Sequence, residues 1–166
     1  MFYNLYNYKS FFKIFFVLKE PINFIFFIIT KKVPEKVKLI TPIGVINVSI
    51  RNYESLKTIF SIFCREDYII ENNKTFLFMD VGSNCGYSAI YFLTRNNLNK
   101  VICYEPDDRN IKYLNINLSA FKERVKIKEI GVGINAGSAK FFITKDGKYN
   151  SLNPILNNIE KIINIR

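Results

Sequence analysis

The chain has 166 residues, 49% of them apolar and 23% charged, enough for one core-forming domain and against compositional disorder. Its net charge of +10 is spread from Lys9 to Arg166 without a long cluster, so it reads as solvated surface and no nucleic-acid partner is expected. With no His, and with Cys64, Cys85 and Cys103 lacking a C-x-x-C pair, the composition argues against a zinc site or a Ser-His-Asp hydrolase and reads as reduced thiols in a cytoplasmic protein.

Residues 1–35 form an aromatic-rich segment ahead of a main domain over 36–166. Its most apolar window, Phe11 to Thr30, is interrupted by Lys13, Lys19, Glu20, Pro21 and Asn23. A span needs ~20 mainly apolar residues, and a central charge costs roughly 2.5–3.5 kcal/mol. The segment therefore predicts two short helices broken at Pro21, docked on the domain or lying in a membrane interface, with Lys31 and Lys32 at the water boundary. Residues 1–33 are the expected peripheral membrane contact, and no signal peptide is read.

Lys36 to Arg51 predicts a β-hairpin turning at Thr41-Pro42-Ile43-Gly44, where Pro and Gly suit a type I turn. In Tyr53 to Phe63, Leu56, Ile59, Phe60 and Phe63 fall on one helical stripe that should cap the core. Strand 75–81, helix 84–95, strand 100–104, helix 108–120 and strand 125–131 follow. Asp107 or Asp108 is the N-cap of the second of these helices, and Ile111, Leu114 and Leu118 are its buried stripe. Gly131, Gly133, Asn135 and Gly137 then mark a bend into a strand over 139–144. Residues 151–166 are weakly patterned, with Leu152, Ile155, Leu156 and Ile159 at mixed helical spacing. Alternating strand and helix predicts an α/β fold with a mainly parallel, Rossmann-like sheet.

The chemistry concentrates at the end of the first core strand, in Asp80-x-Gly82-x-Asn84-x-Gly86. Gly82 and Gly86 permit positive φ and close approach of a ligand, and the following helix start offers unpaired N–H groups. Glu105 ends the second core strand nineteen residues beyond Gly86, placed to accept both hydroxyls of a bound ribose. The pattern lacks the third glycine of G-x-G-x-x-G, which argues against a dinucleotide oxidoreductase, the reading that would otherwise keep Glu105.

D-x-G-x-N-x-G resembles the first motif of class I S-adenosylmethionine-dependent methyltransferases. Met79 to Tyr87, Tyr104-Glu-Pro-Asp-Asp-Arg-Asn110 and Leu114-Asn-Ile-Asn117-Leu together resemble the FkbM-type members, as do Thr41-Pro-Ile-Gly44 and Ile62 to Tyr68, so the likeness covers roughly residues 37–150. The resemblance implies S-adenosylmethionine as cofactor and O-methylation of a small molecule or glycan. Gly82 and Gly86 would pass the methionine part, Asp80 would hold the turn or meet the ammonium through water, and Asn84 would brace the turn or reach the carboxylate. Glu105 would take the ribose, and Ile130 and Gly131 would lie near the adenine edge. The plainer alternatives are a turn-forming Asp80, an exposed strand-end Glu105 and a helix-surface Asn117. Asp67-Tyr68 is given no catalytic role, and no catalytic residue is named.

The resemblance also implies a seven-stranded sheet whose later part carries an acidic Lys-Ile-Asp-Val-Glu-Gly-like block, and this sequence has none. The chain thus reads as the N-terminal part of such an enzyme, a fragment or a shortened gene product, incomplete after about the third core strand. Weak cofactor binding without turnover is expected, with self-association through the open edge of the first core strand. The alternative from another class is a non-catalytic remnant or membrane-associated interaction module using the aromatic N-terminus.

Overall fold

The structure, a computed structural model, describes residues 5–70, 74–143 and 159–165. Two short helices, α1 (Leu5–Val17) and α2 (Pro21–Thr30), open it where the sequence predicts them. Pro21 begins α2 at a position whose missing N–H would have had no intrahelical partner. Between the helices Leu18 bridges to Leu39, and the Lys19 N–H donates to the Lys38 carbonyl at 3.0 Å. Among the described residues no helix is long and apolar enough to cross a membrane.

The antiparallel hairpin of β1 (Lys36–Thr41) and β2 (Gly44–Ser49) closes at the Thr41↔Gly44 pair around Pro42-Ile43. Asn52 caps α3 (Tyr53–Ile59) by accepting from the Ser55 N–H at 3.1 Å. The helix continues as a π-helical turn, Phe60–Cys64, which the sequence period does not signal. Leu56, Ile59 and Phe63 of the expected stripe are buried, and Ile62 and Cys64 join them from the widened turn.

The parallel sheet is β3 (Leu77–Val81), β4 (Lys100–Tyr104) and β5 (Val125–Lys128), in the order β3-β4-β5. Helices α4 (Tyr87–Arg95) and α5 (Asp108–Leu118) make the crossovers, and a 3₁₀ segment, Ser119–Arg124, leads into β5. Neighbouring parallel strands joined by helices are one half of a Rossmann-like sheet, the α/β class expected. Asp107 is the N-cap of α5, accepting from the Arg109 N–H at 3.0 Å. One hydrophobic cluster runs from Ile14, Leu18 and Phe24 through Leu39 and Leu56 to Ile90, Val101 and Leu114, so the N-terminal helices pack on the same core as the sheet.

Several element ends differ from the sequence pattern. The first core strand starts at Leu77 instead of 75, and α4 starts at Tyr87 instead of 84 because residues 82–86 form the turn. The third core strand stops at Lys128 instead of 131. Beyond it, β6 (Gly137–Ile143) and β7 (Ile159–Ile165) make a separate antiparallel pair. Ile159 therefore opens a strand, paired with Ile143, and its helical spacing is overridden by that long-range pairing. Thr144, Leu152, Ile155 and Leu156 lie outside the described residues.

Candidate functional site

After Val81 the chain turns with Gly82, Asn84 and Gly86 at φ values of 79°, 49° and 84°. The left-handed region costs an ordinary residue roughly 1–2 kcal/mol, less for Asn, which explains the residue types at these alternate positions. The Gly82 and Ser83 N–H groups both donate to the Tyr104 carbonyl, at 2.9 and 3.1 Å, and tie the turn to the end of β4. The Ser83 hydroxyl donates to the Asp80 carbonyl at 2.7 Å.

The two glycines serve different ends. A Cβ on Gly86 would lie 2.8 Å from Leu114 Cδ1, so its absence lets α5 pack against the turn. A Cβ on Gly82 would meet nothing within 4 Å. Gly82 therefore offers the clearance that the sequence reading had given to both.

Glu105 is 3% exposed. Its Oε2 accepts from the Asn84 N–H at 2.8 Å, and its Oε1 accepts from the Asp107 N–H at 2.9 Å and from Asn110 Nδ2 at 3.3 Å. Burial pushes its pKa up, and these donors pull against that shift. The exposed strand-end alternative does not hold, and Glu105 clamps the turn. A carboxylate offers about four acceptor positions. The three bonds leave capacity for one more hydroxyl, fewer than the two the sequence reading required.

Asp80 accepts from the Ser88 hydroxyl at 2.7 Å, and burial raises its pKa against that bond. Asn117 is not a surface residue. Its Oδ1 accepts from the Ser49 N–H at 2.7 Å, while its Nδ2 donates to the carbonyls of Cys85 at 2.9 Å and Ser49 at 3.2 Å. The Tyr87 hydroxyl also donates to the Ser49 carbonyl, at 3.0 Å, so the end of the hairpin is pinned to both the turn and α5.

These contacts bring α3 over the turn and leave a cleft of about 200 Å³ at the C-terminal end of β3, where ligands of open α/β sheets bind. Asp80, Val81, Gly82, Ser83, Asn84, Tyr87 and Ser88 line one wall, and Asn52, Glu54, Ser55, Thr58, Ile62 and Tyr68 the other. Of the predicted site residues, Asp80, Gly82 and Asn84 meet there. Gly86 and Glu105 stand behind the turn, and Gly131, buried beyond β5, is not part of the lining. The second wall escaped residue-level reading. Its signals were the Asn52-x-x-Ser55 cap and the expectation that this helix covers the core.

The lining carries two carboxylates, Asp80 and Glu54, several hydroxyls, and neither Lys nor Arg among the described residues. Glu54 also pairs with Lys57. Such walls suit a cationic or polyhydroxylated ligand and offer no side-chain cation to a phosphate. The buried thiols supply no nucleophile: desolvation pushes Cys64 and Cys103 up to about 12 and Cys85 up to about 11.

No family model matches the chain, and no curated protein matches it. Among solved structures it is similar to the methyltransferase FkbM from Methylobacillus flagellatus KT, at 15% identity and a TM-score of 0.38, over 69% of this chain and 32% of that one. The chain thus spans about a third of the length of that structure.

Proposed function

We propose that the cleft binds S-adenosylmethionine and that the chain is the cofactor-binding part of an FkbM-type methyltransferase acting on oxygen of a small molecule or glycan. The observation that carries this reading is the lining: carboxylates and hydroxyls around a glycine turn, with no basic side chain among the described residues to meet a pyrophosphate. S-adenosylmethionine supplies a methyl group already activated on a sulfonium, together with a cationic ammonium, a ribose and an adenine.

The residues fit such a ligand. Gly82 leaves open space beside the backbone where a Cβ would stand. Asp80 is the acid of the turn wall, and a cation beside it would lower its raised pKa and favour the ionised form. Glu105, behind the turn, keeps it in shape through the Asn84 N–H. Asn52, Glu54, Ser55, Thr58 and Tyr68 are the polar groups of the second wall. The acceptor class rests on the sequence resemblance alone.

Titration calorimetry with S-adenosylmethionine, its demethylated product and NAD tests the reading. The first two should bind and NAD should not, and Asp80→Asn should weaken the cationic ligand by about 1.5–3 kcal/mol if their contact is a charge-assisted hydrogen bond. Binding of NAD alone, or of none of the three, would overturn it.

A further inference from the structure

The N-terminal helices are amphipathic in the reverse sense. Ser10, Ile14 and Leu18 turn inward from α1 and the bridge after it, while Phe11, Phe12, Phe15 and Phe16 face solvent, with Phe12 62% and Phe16 76% exposed. On α2, Phe24 is buried while Ile22, Phe26 and Ile29 stand out at i, i+4 and i+7. A surface helix ordinarily carries polar residues there. The two patches meet across a groove of about 640 Å³ lined by Phe11, Ile14, Ile25, Ile28, Ile29 and Phe60, with Lys57, Ser61 and Arg65 also in its lining, so they form one largely apolar surface bordered by cations.

Charge decides what this surface fits. Residues 1–33 hold five lysines and one glutamate. Lys9, Lys19, Lys31 and Lys32 are exposed, and Glu20 is engaged with Lys38 at 2.8 Å. Lys32 Nζ lies 5.6 Å from the centroid of the Phe26 ring, placing a cation at the border of the apolar surface. A second copy of the chain would bring this positive fringe against its like. An anionic bilayer complements both components, accepting the aromatic rings below its headgroups and the lysines among them.

We propose that α1 and α2 dock on the surface of an anionic lipid bilayer, lying along it with Phe11, Phe12, Phe15, Phe16, Phe26 and Ile29 inserted. Each helix is too short to cross, at 13 and 10 residues.

The chain has no tryptophan, so Phe12→Trp gives it a single indole at this surface. Titrated with vesicles of phosphatidylcholine containing phosphatidylserine, its emission should shift to the blue and be quenched by brominated acyl chains, with little change for pure phosphatidylcholine. Adding Lys31→Glu and Lys32→Glu should lower partitioning roughly tenfold or more. Phe15→Ser with Phe16→Ser should lower it too, with circular dichroism unchanged. No blue shift with the acidic vesicles, or binding indifferent to both lipid charge and the lysine reversals, would overturn the proposal. So would lipid-independent self-association that the phenylalanine replacements abolish, which would assign the surface to a second copy.

Discussion

On one face of the parallel sheet Phe78 stacks on Phe92 of α4 at 4.1 Å between centroids, and Val101 and Cys103 are fully covered. On the other face, Leu77, Met79 and Val81 are 68%, 64% and 57% exposed. Successive crossovers of one hand place their helices on one side, so α4 and α5 both fall on the Phe78 face, and the hairpin and α3 stack beyond them. Parallel sheets are ordinarily covered on both faces. The edge is open as well. Phe76 and Gly82 make the contacts toward β4, so the N–H and C=O groups of Leu77, Met79 and Val81 point away from it, where no strand stands among the described residues. The difference teaches that one side of β3 holds the fold and the cleft while the other side is available for pairing.

The largest effect should come from the covered side. Gly86→Val puts a branched side chain at φ 84° against Leu114 and should cost about 2–5 kcal/mol from strain and overpacking, read by urea unfolding. This corrects the sequence expectation that Gly86, like Gly82, serves the close approach of a ligand. Gly82→Ala, with open space at its Cβ, should cost about 1–2 kcal/mol and show its main effect on ligand affinity in calorimetry.

Asn117→Ala removes the side chain that ties hairpin, turn and α5 together, and leaves the Ser49 N–H without its acceptor. A loss of about 1–3 kcal/mol is expected in the same unfolding assay. Equal stability of the variant would show that the hairpin docks without help from Asn117, through apolar contact and the Tyr87 hydroxyl.

A smaller effect should follow pH. Burial raises the pKa of Glu105 above its unfolded value, so the folded state holds the proton more tightly. Its contribution is full below the ordinary carboxylate range and is lost as pH rises through the elevated value. Acidification from neutrality into that window should therefore favour the wild type relative to Glu105→Gln. A Glu105→Gln variant with the same pH profile would show that another group governs it.

The smallest effect on folding should come from the bare face. Met79→Lys is expected to change stability by no more than about 0.5 kcal/mol while reducing self-association through the open edge in sedimentation velocity. A large loss of stability would mean that the face is covered.

The sequence by itself determined what adjacent residues can settle. The positive-φ turn at Gly82 and Gly86, a cap at Asp107 or Asp108, the break at Pro21 and the alternation of strand and helix are demands of the local backbone, and each is met, with Asn84 joining the left-handed positions and Asp107 taking the cap. Tertiary structure decided the rest, because burial and partners depend on elements far apart in the chain. Glu105 became a clamp once α5 brought Asn110 and the Asp107 N–H beside the turn, and Asn117 became a tie once β2 arrived 68 residues away. The second wall of the cleft came from α3, and the outward phenylalanines of α1 became a surface because Ser10, Ile14 and Leu18 took the inward side. Periodicity records that apolar residues recur, while only packing chooses which of them meet the core.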